Sequence, residues 1–372
     1  MMNLGPKDHE RRWKAAQQAL RRGRVRIAHI DTGLAPHTSL GFAADGSPPD
    51  NIRMDEGKNY HDPSAGYLRP VADLRVGAGL GSKLTEFPDH GVKTLSVILS
   101  DAPGKLVGVA RGAHVVPYRV ANGPVFRSPA RTACIGYALD DALSLSPPCR
   151  VASISMGNPG FLGPYDVPRW WLRGEIGMAR QSRRAIDRAY EAGMIVVCAA
   201  GQIVLDVVRP AAYPRTIAVG GFSRSGQDYV HYPRGGYNDK PRVDVWALAV
   251  GVNRAEARLG EPTPHRGHAS DYPDAEAAPS GTSYACPQVA AAAALWLERN
   301  HDELEARYGR LGERWRIVEA FRRAVRRTAR PEKALDADGP GTWGDIFVLD
   351  VEALLNRPVD AIADRDKKGE TY

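Results

Sequence analysis

The sequence predicts an α/β fold: a parallel sheet with helices on both faces, forming a three-layer sandwich. Three observations carry this expectation. Strand-like apolar runs alternate with helix-like ones along most of the chain. The strand runs are continuously apolar rather than alternating, as strands buried on both faces must be. The chain is also large enough to close one sizeable core, with 372 residues, 43% hydrophobic and 25% charged.

The elements follow in order. RVRIAHID (24–31) reads as a short buried strand that ends at the turn Thr32-Gly33. GVKTLSVILS (91–100) has helical length behind Asp89, a helix-start residue. KLVGVARGAHVVPYRV holds two short strands around Gly112. TACIGYALDDALS (132–144) predicts a helix and VASISM (151–156) a strand. A Pro/Gly/Trp-rich loop covers 157–174 and carries Trp170 and Trp171. The helix EIGMARQSRRAIDRAYEAG then leads into the strand MIVVCAAG, and TIAVGGF gives a further strand. Residues 223–280 are polar and turn-rich. SYACPQVAAAAALWLERN predicts a long helix of small residues, with Pro287 at the edge of its first turn, where a missing N–H costs little. An Arg-rich helix (313–329) and a last strand and helix, WGDIFVLDVEALLNR, complete the domain. No repeat or low-complexity linker divides the chain. The expected organisation is a short N-terminal extension (1–24), one large domain (25–357) and a charged, solvated C-terminal tail (358–372).

Net charge is +7, much of it in two stretches, ERRWKAAQQALRRGRVR and ERWRIVEAFRRAVRRTARPEK. Their helical spacing predicts solvated faces, and no aromatic residues interleave with a basic groove as in single-strand binders, so nucleic acid is not the expected partner. No apolar run approaches the roughly 20 residues of a membrane span. The N-terminus has charges but no apolar core of a signal peptide. The expectation is a cytoplasmic protein without membrane attachment. The four cysteines, Cys134, Cys149, Cys198 and Cys286, have neither CxxC nor metal-ligand spacing and are expected to be free thiols.

In open α/β sheets chemistry gathers at the carboxyl ends of the strands. Asp31 ends a strand, His90 opens a helix, and Ser283 in SGTSYACP lies between a glycine turn and the Ala-rich helix. Each has a plain structural reading, as a turn carboxylate, a helix-terminal histidine and a cap. Together they supply a nucleophile, a base and a carboxylate to orient the base, since an alcohol needs such help at neutral pH. VVCAAGQ poses a similar choice: Gln202 is either a solvated residue past a strand or a carboxamide placed for chemistry.

The flanking words resemble those of the subtilisin-like serine proteases, from about residue 25 to 355. AHIDTGLAPHTSL is similar to the segment of the family's catalytic aspartate, DHGVKTLSVIL to that of its histidine, and SGTSYACPQVAAAAAL to its nucleophile motif. LVGVARGAHVVPYRV, ISMG, YPRTIAVGG and VDVWALAVGV match in the expected order. The resemblance implies a subtilisin-like fold and a serine endopeptidase acting through an acyl-enzyme. Asp31, His90 and Ser283 would form the triad, and Gln202 would stand where the family places an oxyanion-binding asparagine. It implies a substrate groove formed by Ser153, Ser155, Met156 and Gly157 on one side, where a peptide would add as a strand, and by Ala199, Ala200 and Gly201 on the other. The expected partner is a protein or peptide. No cofactor is implied for the chemistry. Calcium often stabilises the family, but no ligand set can be placed on this sequence.

The chain departs from the family after His90-Gly91, where Val92 and Lys93 replace threonine and a second histidine. Only about two dozen residues precede the first strand, which resembles the intracellular members; that segment reads as a surface helix or as a pseudo-substrate. Three rivals stay open. A peptide ligase or macrocyclase on the same fold is not separable by sequence, and a peptide-binding module of impaired catalysis is suggested by Gln202 and the residues near His90. An aspartic protease would need two Asp-Thr-Gly motifs or a symmetric dimer of a much shorter chain, and only one such motif occurs here.

Overall fold

The computed structural model describes residues 18, 20, 23–62, 69–79, 86–102, 104, 106–126, 128–158, 178–202, 207–225, 228–231, 242–271, 281–335 and 342–369. The expected loop tryptophans Trp170 and Trp171, and nearly all of the N-terminal extension, lie outside them.

The chain enters its sheet through β1 (Arg26–Asp31), followed by the short β2 (Lys58–Asn59). Helix α1 (His90–Leu99) leads through the hairpin β3 (Asp101–Ala102) and β4 (Leu106–Val107) to β5 (His114–Arg119). Helix α2 (Ala133–Ser144), β6 (Val151–Ile154), α3 (Arg180–Glu191) and β7 (Ile195–Ala199) come next. Strands β8 (Ile217–Ser225) and β9 (Asp228–His231) form an antiparallel pair, and β10 (Val245–Leu248) returns parallel to β8. The minor pair β11 (Ala255–Glu256) and β12 (Gly267–His268) precedes the long α4 (Thr282–Arg299). Helices α5 (His301–Tyr308) and α6 (Trp315–Thr328), the hairpin β13 (Arg330–Leu335) and β14 (Thr342–Val348), and α7 (Val351–Asn356) finish the domain.

The parallel part of the sheet runs β2-β5-β1-β6-β7-β8-β10. From β1 the chain first builds toward β5 and then crosses to β6 on the other side, so the order reverses at β1. The carboxyl ends flanking such a reversal open a crevice, and Asp31 is the last residue of β1. The two sheet faces carry separate cores. Ile27, Val115, Val151 and Val197 pack with α1, α4 and α6, while Ala28, Ile30, Val116, Ala152 and Val196 pack with α2 and α3. The run Ala290 to Ala294 is fully buried, its small side chains letting α4 lie close beneath the sheet.

The α/β expectation holds, and three local readings are corrected. The hairpin partner β13 falls in a segment, RPEKAL, too polar to signal a strand. Pro287 lies inside α4 rather than in its first turn, because the helix already begins at Thr282. The C-terminal segment is no free tail through Gly369: most of its residues are exposed, but it is anchored to the domain. Val359 and Ile362 are buried, and the arginines of α6, read as a solvated face, grip the segment. Arg316 reaches the Ile362 carbonyl at 2.5 Å and the Asp364 carboxylate at 2.6 Å, and Arg327 reaches Asp360 at 2.7 Å. On the same helix Arg322 is buried against Asp244 at 2.8 Å and Glu319 at 3.1 Å. Periodicity reports which residues share a helix face but not what chain returns to cover it.

Candidate active site

Two glycines let the end of β1 meet the start of α1. Gly33 has φ +87°, a left-handed turn open to glycine, and a Cβ on Gly91 would lie 2.2 Å from the Gly33 carbonyl oxygen. Thr32 fastens the junction. Its hydroxyl donates to the Pro88 carbonyl at 2.9 Å and accepts from the Gly91 N–H at 2.8 Å. The result places His90, first residue of α1, over Asp31. His90 Nδ1 lies 2.7 Å from Asp31 Oδ1, which also accepts the Thr32 N–H at 2.8 Å. Burial alone would raise the Asp31 pKa; the charge and hydrogen bond of His90 reverse this and hold the carboxyl below its ordinary range.

Lys93, one of the departures after His90, is anchored in an ion-pair cluster. Its ammonium lies 2.8 Å from Asp89 and 3.2 Å from Glu256. Burial would lower its pKa, but Asp89 and its other neighbours raise it instead. Val92 simply fills the core.

Ser283 stands in the first turn of α4, beside Tyr284, whose ring centroid is 6.3 Å from that of His90. The Ser283 hydroxyl donates to the Ser155 carbonyl at 2.9 Å, and the Ser155 hydroxyl donates to the Ser283 carbonyl at 2.9 Å. His90 Nε2 is buried and has no hydrogen-bond partner among the described residues. The Asp31–His90 bond is therefore formed in this structure, and Ser283 is engaged elsewhere.

Gln202 is half-buried and held by Thr282. The Thr282 hydroxyl accepts the Gly201 N–H at 3.0 Å and donates to Gln202 Oε1 at 3.0 Å. That bond fixes the amide's orientation, because the hydroxyl proton needs an oxygen to meet it. Nε2 is then turned to Gly281, where a Cβ would lie 3.2 Å from it and 3.6 Å from the Ser283 nitrogen. The carboxamide N–H and the first turn of α4 border one bare patch of backbone.

A cavity of about 50 Å³ opens beside Ser283, lined by Ser155, Met156, Gly157, Ala199, Gly201, Gln202 and Val208, among others. Val208 forms one tightly fitted wall of it. A Cβ on Gly157 would lie 2.4 Å from Val208 Cγ2, and one on Gly201 would lie 2.5 Å from Cγ1, so the isopropyl group is wedged between two glycines. Two residues expected in the groove, Ser153 and Ala200, do not line this cavity. Ser153 is buried inside β6, paired on both sides by His29 and Val197. Ala200 spends its backbone on Val219 and Val208. The Gly157 edge, expected to be open to an added strand, is already paired: its N–H donates to the Pro124 carbonyl at 2.9 Å, and its carbonyl accepts the Phe126 N–H at 3.0 Å.

Sequence reasoning gave no place at the site to Thr282 or Val208. Only Thr282 had a usable signal, as neighbour of the suspected nucleophile. The cysteines are free, three of them buried. Among the described residues no group of three or more His, Cys, Asp or Glu side chains is arranged to hold a metal ion. Among them, too, no helix is long and apolar enough to cross a membrane.

Residues 24–343 match the model of the Subtilase family, and the chain belongs to that family. It is 27% identical over 291 residues to an extracellular basic protease of Dichelobacter nodosus, a match covering 73% of this chain and 42% of that protein. Among solved structures it resembles fervidolysin from Fervidobacterium pennivorans, described as a keratinolytic enzyme related to subtilisin. There the TM-score is 0.61 and identity 19%, over 96% of this chain and 45% of that one. A protease from Pseudoalteromonas arctica aligns with TM-score 0.62 and 20% identity, over 92% and 93% of the two chains. The chain thus spans less than half the length of the first two relatives.

Proposed function

We propose that this chain is a serine endopeptidase. The observation that carries the reading is the 2.7 Å bond between Asp31 and His90, formed at the sheet's reversal and beside the N-terminal turn that bears Ser283. In this reading Ser283 turns from the Ser155 carbonyl toward His90 Nε2, an adjustment in keeping with catalytic hydrogen bonds that tighten only when substrate binds. His90 takes the hydroxyl proton as Ser283 Oγ attacks the scissile carbonyl, then delivers it to the leaving amine. Asp31 holds Nδ1–H and stabilises the imidazolium. The Ser283 N–H and Gln202 Nε2 receive the oxyanion. A water repeats the cycle to release the acid. The cavity beside Ser283 would take the residue before the cleaved bond. A roughly 150 Å³ apolar cavity holds benzene, so this one, at about 50 Å³, favours a small side chain.

The resting contact between Ser283 and Ser155 favours a second reading, a peptide-binding module without turnover. Transfer to an amine, giving ligation or macrocyclisation, remains a third outcome of the same acyl-enzyme. A fluorophosphonate probe together with a library of small-residue peptides tests all three. Endopeptidase activity requires labelling of the wild type, loss of labelling in Ser283→Ala, and products whose masses have gained water. Products of ligation lack that water. No labelling and no turnover would sink the enzyme readings. In the endopeptidase reading, Ser283→Ala or His90→Ala costs about 10⁴–10⁶ in kcat, and the double variant is little worse.

A further inference from the structure

Strand β1 alternates its faces, so Ala28 and Ile30 join the core of α2 and α3 while Ile27 joins that of α1 and α4. On the second face, His29 follows Ile27 and precedes Asp31. A buried histidine there breaks the apolar pattern. The residue is 1% exposed, with Nε2 at 2.9 Å from Thr94 Oγ1 on α1. The same hydroxyl lies 3.1 Å from Asp31 Oδ2, the carboxylate oxygen that neither His90 nor the Thr32 N–H uses.

The direction of these bonds follows from what each atom lacks. His29 Nδ1 has no partner among the described residues. A buried N–H without an acceptor is rarer and costlier than a buried acceptor without a donor. The ring proton therefore sits on Nε2 and is donated to Thr94. The Thr94 proton then has three acceptors in reach: Asp31 Oδ2 at 3.1 Å, the His90 carbonyl at 3.1 Å and the Gly91 carbonyl at 3.3 Å. The ionised oxygen wins, since charge-assisted bonds are about twice as strong as neutral ones.

We propose that His29 and Thr94 are positioning residues for Asp31. They hold Oδ2 as Thr32 and His90 hold Oδ1, so the plane of the carboxylate, and through it the plane of the His90 ring, is fixed from both sides. This rests on the triad reading above. Burial supports it by pushing the His29 pKa down to about 4 against the pull of Asp31, which keeps the ring a neutral donor. The other titratable groups around this chain are His90 on α1 and, from α4, Cys286 and Tyr284.

The test is the pH dependence of kcat/KM in Thr94→Val, Thr94→Ser, His29→Leu and His29→Gln, on protein first shown to label at Ser283. Thr94→Val should lower kcat about ten- to a hundredfold, the scale of one charge-assisted hydrogen bond, with KM within about threefold. It should also move the acid limb of the profile to higher pH. A carboxylate stripped of one donor holds the imidazolium more tightly, so more alkali is needed to free the base. Thr94→Ser should restore both. His29→Leu should act in the same direction and His29→Gln, which keeps a donor, should recover most of the loss. An unmoved acid limb in Thr94→Val, or a loss that Thr94→Ser fails to rescue, overturns the proposal and leaves a packing role. If Thr94→Val does not fold, the two His29 variants decide by the same profile. Failure of the wild type to label overturns the triad reading and this proposal together, and is seen before any variant is made.

Discussion

Ser155 and Ser283 bond to each other twice, each hydroxyl donating at 2.9 Å to the other's carbonyl. Pro287 explains one of the two. It stands four residues after Ser283 inside α4, where its missing N–H leaves the Ser283 carbonyl without its helical donor. The Ser155 hydroxyl supplies that donor from the neighbouring strand end. Ser155→Ala should therefore cost about 1–3 kcal/mol, the penalty of a buried acceptor left bare. In a Pro287→Ala background, where residue 287 regains an N–H, the same substitution should cost less. Urea denaturation of the four proteins measures the coupling; strict additivity would count against this account.

The Thr282 hydroxyl fixes the Gln202 amide at 3.0 Å, and in the endopeptidase reading that amide is an oxyanion donor. Gln202→Ala should lose about 10²–10³ in kcat with little change in KM, as for removal of one oxyanion donor. Thr282→Val frees the amide to rotate, and should lower kcat in the wild type but add little to Gln202→Ala. Gln202→Asn should fall short by about tenfold or more, because the shorter side chain cannot both reach the Thr282 hydroxyl and present its N–H at Gly281. If Gln202→Ala turns over within about threefold of wild type, the residue is no donor.

Val208 should set the size of the residue accepted before the cleaved bond. Val208→Gly removes the isopropyl wedge between Gly157 and Gly201, and should raise kcat/KM for leucine or phenylalanine there about tenfold or more. Each added buried methylene contributes on the order of 0.8 kcal/mol. Cleavage of a peptide library that keeps the same preference in both proteins would place the selecting pocket elsewhere.

Acid should weaken the fold before it protonates the carboxylates. Burial pushes His29 and His37 down to about 4 from an ordinary 6.5. Between those values the unfolded chain binds protons that the native one refuses, so stability falls as pH drops from about 6.5 to about 4. Asp31 adds a loss of the same sign at still lower pH, since its native pKa is depressed. Urea midpoints at pH 7.5, 6.5, 5.5 and 4.5 should decline accordingly, and His29→Gln should flatten part of the decline. A level series would contradict the burial of neutral imidazoles.

What the sequence made legible was local. The strand words, the helix words and the three reactive residues each sit within a few positions of a turn or helix start, where propensity and pattern speak directly. The pairing of Asp31 with His90 was implied by the family resemblance of the words around them. Long-range partners were not legible. The roles of Thr94 and Val208 depend on register between distant elements, as does the grip of Arg316 and Arg327 on the segment after Arg357. A threonine in α1 reads the same whether it faces a leucine or a carboxylate. Pro287 was misplaced for a related reason: the position of a proline matters only relative to a helix start, and that start moved by a residue or two changes what it costs.

The pairing of Gly157 with Pro124 and Phe126 makes residues 124–126 a tethered competitor for the sheet edge. A peptide adding at Gly157 would exchange two existing hydrogen bonds for two equivalent ones, with no net gain from the backbone there. Pro124 and Val125 already line the Val208 cavity, so the peptide's advantage over a segment held at high effective concentration must come from contacts at the patch between Gln202 and Ser283. Short ligands that reach only the Gly157 edge should then bind poorly, and occupancy of the edge should follow, rather than precede, engagement of the residue at the cleaved bond.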